Sequence, residues 1–253
     1  MRKSHCLSFL SFFLLFLMSC GRSGGSGAFP MEKKYWTDED YQTVNDELTN
    51  LKYNDKELPN LDNPKTADVF RKIVDTSNVS VVATDNQLGI KHRSEFTSKI
   101  FDEYRSLVSA YSGIDRTDKY QYPVEFVEIL KFGLPLQIYY ITMNNENNIK
   151  NSDDPKSQQV VDLLVRNQNV LVGNFELYLD YINFEDRFNE KALASYSEGL
   201  KDFFPRLIDA APNGDYSGMA VKIDNMLKKS KNQPIIAQLE ILKGLIKNKI
   251  SSH

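Results

Sequence analysis

Residues 123–143, PVEFVEILKFGLPLQIYYITM, decide the fold of this chain. Their apolar side chains recur at spacings of three and four and form two rows: Val127, Leu130, Leu134, Ile138 and Ile141 in one, and Phe132, Leu136 and Tyr139 in the other. Pro123 suits the first turn of a helix, where its missing N–H is not needed. A helix that is apolar on nearly every side is normally buried. We therefore predict that this segment is the central helix of the domain.

Helical periodicity continues on both sides of this segment. Further helices are predicted over residues 38–51, 67–74, 94–113, 155–188, 190–211, 216–229 and 234–249. Thr37 is expected to cap the first of them. The β-branched residues at 79–82 are the one extended piece that the pattern favours. The sequence thus predicts an all-α fold, an irregular bundle of about seven or eight helices with at most one short extended segment near 79–82.

The stretch between residues 144 and 155 breaks the helical pattern. It contains five Asn residues and several charges before Pro155. Asn and Pro favour turns over helix interiors. We interpret residues 31–253 as a single helical domain, with a division near 144–155 as the alternative.

The N-terminus has the three parts of a bacterial export signal. Arg2 and Lys3 are positive, residues 7–18 are apolar apart from two serines, and the run Leu17-Met18-Ser19-Cys20 follows. This arrangement resembles the lipobox of type II signal peptides, which is found in bacterial lipoprotein precursors. The resemblance implies removal of residues 1–19 and attachment of lipid to the Cys20 thiol. The alternatives are an ordinary secretory signal with a coincidental cysteine, or an uncleaved membrane helix.

The residues after the cysteine suit a tether. Residues 20–30 are rich in Gly and Ser. The seven residues 21–27 should behave as a flexible coil with a reach of roughly 15 Å. The lipid on Cys20 would therefore hold the domain close to a membrane, which is its first expected partner. Among lipoproteins of this type, Gly21 rather than Asp after the cysteine favours the outer membrane. The expected location is the bacterial cell envelope.

Composition argues against several classes of function. Without residues 1–19 the chain keeps 29 Lys and Arg against 34 Asp and Glu, and these charges are interleaved, so nucleic acid is not an expected partner. Both cysteines, Cys6 and Cys20, belong to the signal region, which leaves no thiol for a disulfide, a nucleophile or a metal. His92 is the only histidine inside the domain, and its charged neighbours indicate a solvated side chain.

No motif in the sequence assigns a catalytic residue, a cofactor or a metal. Gly-rich phosphate loops are absent from the printed sequence. Asp38, Glu39 and Asp40 could bind Ca²⁺, but their place in a first helical turn favours interaction with the helix dipole. Glu125 and Glu128 are explained in the same way. We therefore predict no catalytic, cofactor-binding or metal-binding residues and no cofactor.

Tyrosines at helical spacing are the remaining candidate for a contact surface. Tyr139, Tyr140, Tyr178 and Tyr181 carry apolar rings with polar tips, which suit either the margin of a core or a partner surface. The sequence favours a non-enzymatic binding or scaffold module that acts on an unidentified protein partner. The alternatives are a periplasmic immunity or inhibitor lipoprotein and a hydrolase that depends on carboxylates. The question of enzymatic activity stays open, with the balance against it.

Overall fold

A computed structural model describes residues 29–251 of the chain. The run that resembles a lipobox, Leu17-Met18-Ser19-Cys20, and most of the expected tether lie outside the described residues. Within residues 29–251 the chain forms nine α-helices and one 3₁₀ helix, and its only β-pairing there is an isolated bridge between Ile114 and Tyr120. The predicted all-α class is confirmed.

The helices are α1 (Asp38–Tyr53), α2 (Ala67–Ile73), α3 (Ser77–Ala83), α4 (Ile90–Tyr111), α5 (Pro123–Lys150), α6 (Gln158–Asp180), a 3₁₀ helix (Tyr181–Arg187), α7 (Glu190–Ala210), α8 (Ser217–Lys229) and α9 (Gln233–Ser251). The central position predicted for residues 123–143 is confirmed, because α5 packs against α3, α4, α6 and α7. α1 lies along α4, and α9 packs on α7 and α8. Among the described helices, none is both long and apolar enough to cross a membrane.

The first helix begins with the cap that the sequence predicts. The Thr37 hydroxyl accepts a hydrogen bond from the backbone N–H of Asp40, and the Asp40 carboxylate accepts one from the backbone N–H of Thr37. Lys33 also donates to Asp40, over 2.6 Å. Burial opposes ionisation of Asp40, but the hydrogen bonds from Lys33 and Thr37 outweigh it and lower its pKa. The acidic residues at this end therefore stabilise the helix start.

The prediction of an extended segment near residues 79–82 is wrong, because these residues lie inside α3. Val79 and Ala83, four residues apart, both face the core. Asn78, one position before the predicted strand, is fully buried and binds three other segments of the chain. Helical packing at this spacing outweighs the modest β preference of the valines.

The predicted break at residues 144–155 is shorter than expected. α5 continues through the asparagines to Lys150, and α6 begins at Gln158, so only residues 151–157 connect the two helices. A single cluster of buried apolar side chains extends from Trp36 to Ile246 and includes residues from both sides of this connection. Helices before and after the connection thus share one core.

Candidate functional site

A cavity of about 280 Å³ lies between α4, α5 and the end of α6. Each helix contributes side chains three, four or seven positions apart, which share one face of a helix. The lining residues are Phe101, Tyr104, Arg105 and Val108 from α4, Leu130, Leu134 and Gln137 from α5, and Asn174, Leu177, Tyr178 and Tyr181 from α6 and the residue that follows it. Three helical faces thus meet around a mostly apolar space.

One wall of the cavity is built from stacked aromatic rings. The Phe101 ring lies 6.0 Å from the Tyr104 ring and 5.2 Å from the Tyr140 ring, with the planes nearly parallel in both pairs. The Arg105 guanidinium lies 5.1 Å from the Phe101 ring centroid. The tip of Tyr104 rests on Gly133 of α5, where any Cβ would overlap it. The absence of a side chain at Gly133 therefore allows α4 to approach α5 this closely.

Gln137 is the polar group that stands out in the cavity. Its side chain is 6% exposed, and its Oε1 has no hydrogen-bond partner among the described residues. A buried polar atom without a partner destabilises a folded protein by about 1–3 kcal/mol, so such atoms are rare in native structures. The Oε1 atom itself is inaccessible to solvent, so it lies behind the surface of the cavity wall.

Two tyrosine hydroxyls at the cavity remain neutral at physiological pH. Burial raises the pKa of Tyr104, and the nearby Tyr181 contributes in the same direction. Burial also raises the pKa of Tyr181. Both groups therefore keep their protons and can act as hydrogen-bond donors or acceptors.

The four tyrosines considered as a possible contact surface differ in burial and in their position relative to the cavity. Tyr181 lines the cavity and is half-buried, and Tyr140 supports the cavity wall through Phe101. Tyr139 is half-buried and packs against the core. Tyr178 is only 3% exposed and forms the inner wall of the cavity, so it takes the core position that the sequence left open beside a contact surface.

The Tyr178 hydroxyl is buried and forms its hydrogen bond inside the protein. It donates to the backbone oxygen of Tyr196 over 3.0 Å, while the Tyr196 hydroxyl donates back to the oxygen of Tyr178 over 2.5 Å. The two rings stack at 4.4 Å between centroids. Gly199 leaves room for the tip of Tyr178, since a Cβ there would overlap its hydroxyl. This pair joins α6 to α7.

The candidate carboxylates serve separate structural contacts. Glu125 is buried and accepts the backbone N–H of Leu61 over 2.7 Å. Glu128 pairs with Lys131 over 2.9 Å and accepts the Ser195 hydroxyl. Lys131 also donates to Ser195, over 2.9 Å, and to Glu198, over 3.2 Å. This network connects α5 to α7, and the two glutamates do not converge on a common cleft.

His92 is an exposed residue in the first turn of α4, which begins at Ile90, a few residues before the predicted start. Within residues 29–251, no group of three or more His, Cys, Asp and Glu side chains is placed to hold a metal ion.

Gln137 is the site residue that sequence reasoning missed. A signal was present, because Gln137 follows Leu130 and Leu134 on the same face of a helix that is otherwise apolar there. A polar residue on such a row is normally paired across the core. The sequence does not reveal that this one borders a cavity.

Comparison with known proteins identified no relative of this chain. The chain matches no protein-family model, no curated protein and no solved structure.

Proposed function

We propose that this chain is a lipid-anchored, non-enzymatic binding module of the bacterial cell envelope, and that it binds its partner at the cavity between α4, α5 and α6. The observation that carries the proposal is a mostly apolar cavity of about 280 Å³ whose lining includes the polar residues Gln137 and Asn174. Apolar cavities with a few placed polar groups are the usual form of a binding site.

The surface around the cavity also favours binding of a partner. Leu177 lines the cavity and is 60% exposed. Val170, seven residues earlier on the same face of α6, is exposed as well. Exposed apolar side chains beside a concave site are typical of surfaces that become covered on binding.

The anchoring part of the proposal rests on Leu17-Met18-Ser19-Cys20 and on where the domain begins. Phe29 already packs against the core, and the Trp36 indole N–H donates to the Pro30 oxygen over 2.9 Å. The folded part thus begins nine residues after Cys20. A chain of that length spans at most about 30 Å, which would keep the domain close to the lipid surface. The outer membrane is the proposed location, given Gly21.

Cys20→Ser is expected to remove the protein from the membrane fraction or to leave an uncleaved precursor, because only the thiol can take the lipid. The measurement is membrane fractionation with metabolic labelling by a fatty-acid analogue. Cys6→Ser is the matched control, since it changes the other cysteine of the chain and should leave anchoring intact. Normal processing, membrane association and labelling of the Cys20→Ser protein would contradict the lipoprotein proposal.

A photo-crosslinking amino acid at Leu177 is expected to capture the partner in intact cells, whereas the same amino acid at Ile241 should not. The two positions are matched, because both are aliphatic helix residues and their exposures are 60% and 58%. Only Leu177 borders the cavity, and Ile241 lies on α9. The measurement is the pattern of crosslinked species on a gel, followed by mass spectrometry.

Equal crosslinking at the two positions would place the contact elsewhere. A single crosslinked species that appears with the crosslinker at position 177 and not at position 241 would support the cavity as the site. The identity of that species would also test the alternative hypothesis of an immunity or inhibitor protein, which requires a toxin or an enzyme as its partner.

A further inference from the structure

Lysines are concentrated in the last two helices of the domain. Residues 217–251, which comprise α8 and α9, contain seven of the 29 basic residues that follow residue 19 and two of the 34 acidic ones. The chain before α8 is therefore acidic, whereas the α8–α9 pair is basic. Such a charge asymmetry between parts of a chain is typical of proteins that contact a charged surface.

Two of these lysines are not neutralised inside the protein. Lys222 pairs with carboxylates of α6, the closer at 2.9 Å, and so joins two helices. Lys243 pairs with Asp224 over 2.9 Å, which connects α9 to α8. Lys228 and Lys247 are exposed, and neither forms an ion pair with another described residue. The charges of these two side chains are available to an external partner.

The outward side of α9 carries no charge. Its buried side faces the core through Ile235, Leu239, Leu242 and Ile246. Its exposed side is a row of uncharged residues at spacings of three and four: Ala237, Ile241, Gly244 and Asn248. Ile241 is 58% exposed, and Val221 on α8 is 63% exposed. Covering aliphatic side chains of this kind contributes favourable free energy.

The lysines and the aliphatic side chains share one surface. Lys243 and Lys247 each precede a residue of the uncharged row, so they lie along one side of it, about 100° around the helix. That side is next to α8, because Lys243 contacts Asp224. On α8, positions 221 and 228 are seven residues apart and both exposed, so they share one side of that helix. The α8–α9 face is defined by Val221, Lys228, Ile241, Lys243 and Lys247.

We propose that the α8–α9 face lies against a membrane surface that contains anionic phospholipids. Its lysines pair with lipid phosphates, while Val221 and Ile241 enter the boundary between headgroups and acyl chains. Helices at such a boundary are held by apolar burial and by electrostatic attraction together. This inference goes beyond the proposed function, since it requires neither the cavity nor a lipid on Cys20.

The residue types favour lipid over other partners of the same charge. Nucleic-acid binding relies on Arg and on aromatic rings that stack with bases, and residues 217–251 contain neither. A second copy is disfavoured as well. A symmetric dimer brings the same patch of both copies together, so the lysines of one copy would face those of the other. Like charges in contact oppose such an interface.

The first test is vesicle binding by the purified chain from residue 21 onward. This chain keeps the single core, which extends from Trp36 to Ile246, and it carries no lipid. It should cosediment with vesicles made of equal parts of phosphatidylglycerol and phosphatidylcholine, and bind at least about tenfold more weakly to phosphatidylcholine alone. Binding should fall as salt is raised, because salt screens exposed charges.

A pair of lysine substitutions tests the face itself. Lys228→Gln combined with Lys247→Gln should lower the partition coefficient on the anionic vesicles by about 25-fold, since each lysine near such a surface contributes about fivefold. Lys56→Gln combined with Lys65→Gln is the matched control. Both of these lysines are exposed and lie between α1 and α2, and the control variant has the same net charge. It should bind within about twofold of the unmodified chain.

A fluorescent label reports insertion while every lysine is kept. The chain from residue 21 has no cysteine, so Ile241→Cys and Leu177→Cys each provide a single site for an environment-sensitive dye. The two positions are matched, with exposures of 58% and 60%. Anionic vesicles should shift the emission at position 241 to shorter wavelength and leave the emission at position 177 unchanged.

Several results would overturn the proposal. Among them are equal binding to the two kinds of vesicle, equal loss in the two double variants, no shift at position 241, or an equal shift at position 177. Tighter binding to a DNA oligonucleotide than to the vesicles would assign the face to nucleic acid instead. A concentration-dependent dimer that is lost in Ile241→Asp would assign it to a second copy.

These measurements are independent of the proposed function. They involve neither the lipid on Cys20 nor the cavity, so a failure of one proposal leaves the other standing. The crosslinking control at Ile241 also remains valid, because an adduct with lipid does not appear as a crosslinked protein.

Discussion

Asn78→Ala is expected to lower the free energy of unfolding by about 3–5 kcal/mol, one of the two largest effects that the structure supports. Asn78 is fully buried and connects three segments. Its Oδ1 accepts the backbone N–H of Trp36 over 3.0 Å, and its Nδ2 donates to the Tyr41 hydroxyl over 3.1 Å and to the Lys72 oxygen over 2.9 Å. Alanine leaves these buried groups unpaired. The measurement is urea denaturation followed by the fluorescence of Trp36, the only tryptophan in the chain.

Two further variants calibrate this result. Asn50→Ala changes an exposed asparagine of α1 and should stay within about 0.5 kcal/mol of the wild type. Tyr41→Phe removes the hydroxyl that donates to the Ile73 oxygen over 2.8 Å, and an intermediate loss of about 1–2 kcal/mol is expected. If Asn78→Ala were as stable as Asn50→Ala, Asn78 would not be holding the N-terminal segment and α1 to α2 and α3.

Gly133→Ala is expected to destabilise the protein by about 1–3 kcal/mol, although alanine is the better helix former by about 1 kcal/mol. The added Cβ would overlap the ring tip of Tyr104, which packs directly on Gly133. α4 would have to move away from α5, or the Tyr104 ring would have to turn toward the cavity. The measurement is the same denaturation experiment.

Gly173→Ala is the matched control for this prediction. Gly173 also lies inside a long helix, α6, but a Cβ there meets nothing within 4 Å. This substitution should raise the free energy of unfolding by about 0.5–1 kcal/mol through helix propensity alone. Tyr104→Ala removes the side chain that overlaps the new Cβ. Adding it to Gly133→Ala should therefore recover part of the free energy of unfolding that Gly133→Ala loses through this overlap. Stabilisation of similar size by both glycine substitutions would contradict the close approach of α4 to α5.

Features that depend on local periodicity could be predicted from the sequence. The rows of apolar residues in 123–143 identify the central helix, because burial on all sides requires apolar side chains on all sides. Thr37 and Asp40 mark the start of α1, because the backbone N–H groups at a helix end need acceptors nearby in the chain. These signals involve residues within four positions of one another.

Part of the candidate site was also present in the sequence. Phe101, Tyr104 and Val108 share one predicted face, as do Leu130 and Leu134. Periodicity shows which side chains of a helix are buried, but it does not show which other helix covers them or how closely. Neither the cavity nor the part that Gln137 plays in it could therefore be predicted.

The sequence by itself determined the all-α class, the central helix and the cap at Thr37, because each depends on interactions between near neighbours in the chain. Only the tertiary structure decided that residues 79–82 are helical, that Tyr178 turns its hydroxyl into α7, and that Gln137 borders an open space. Each of these depends on groups distant in sequence: the partners of Asn78, the room left by Gly199, and the approach of α4 over Gly133. Contacts of this kind override weak local preferences, because burying a side chain contributes more free energy than the propensity of a single residue.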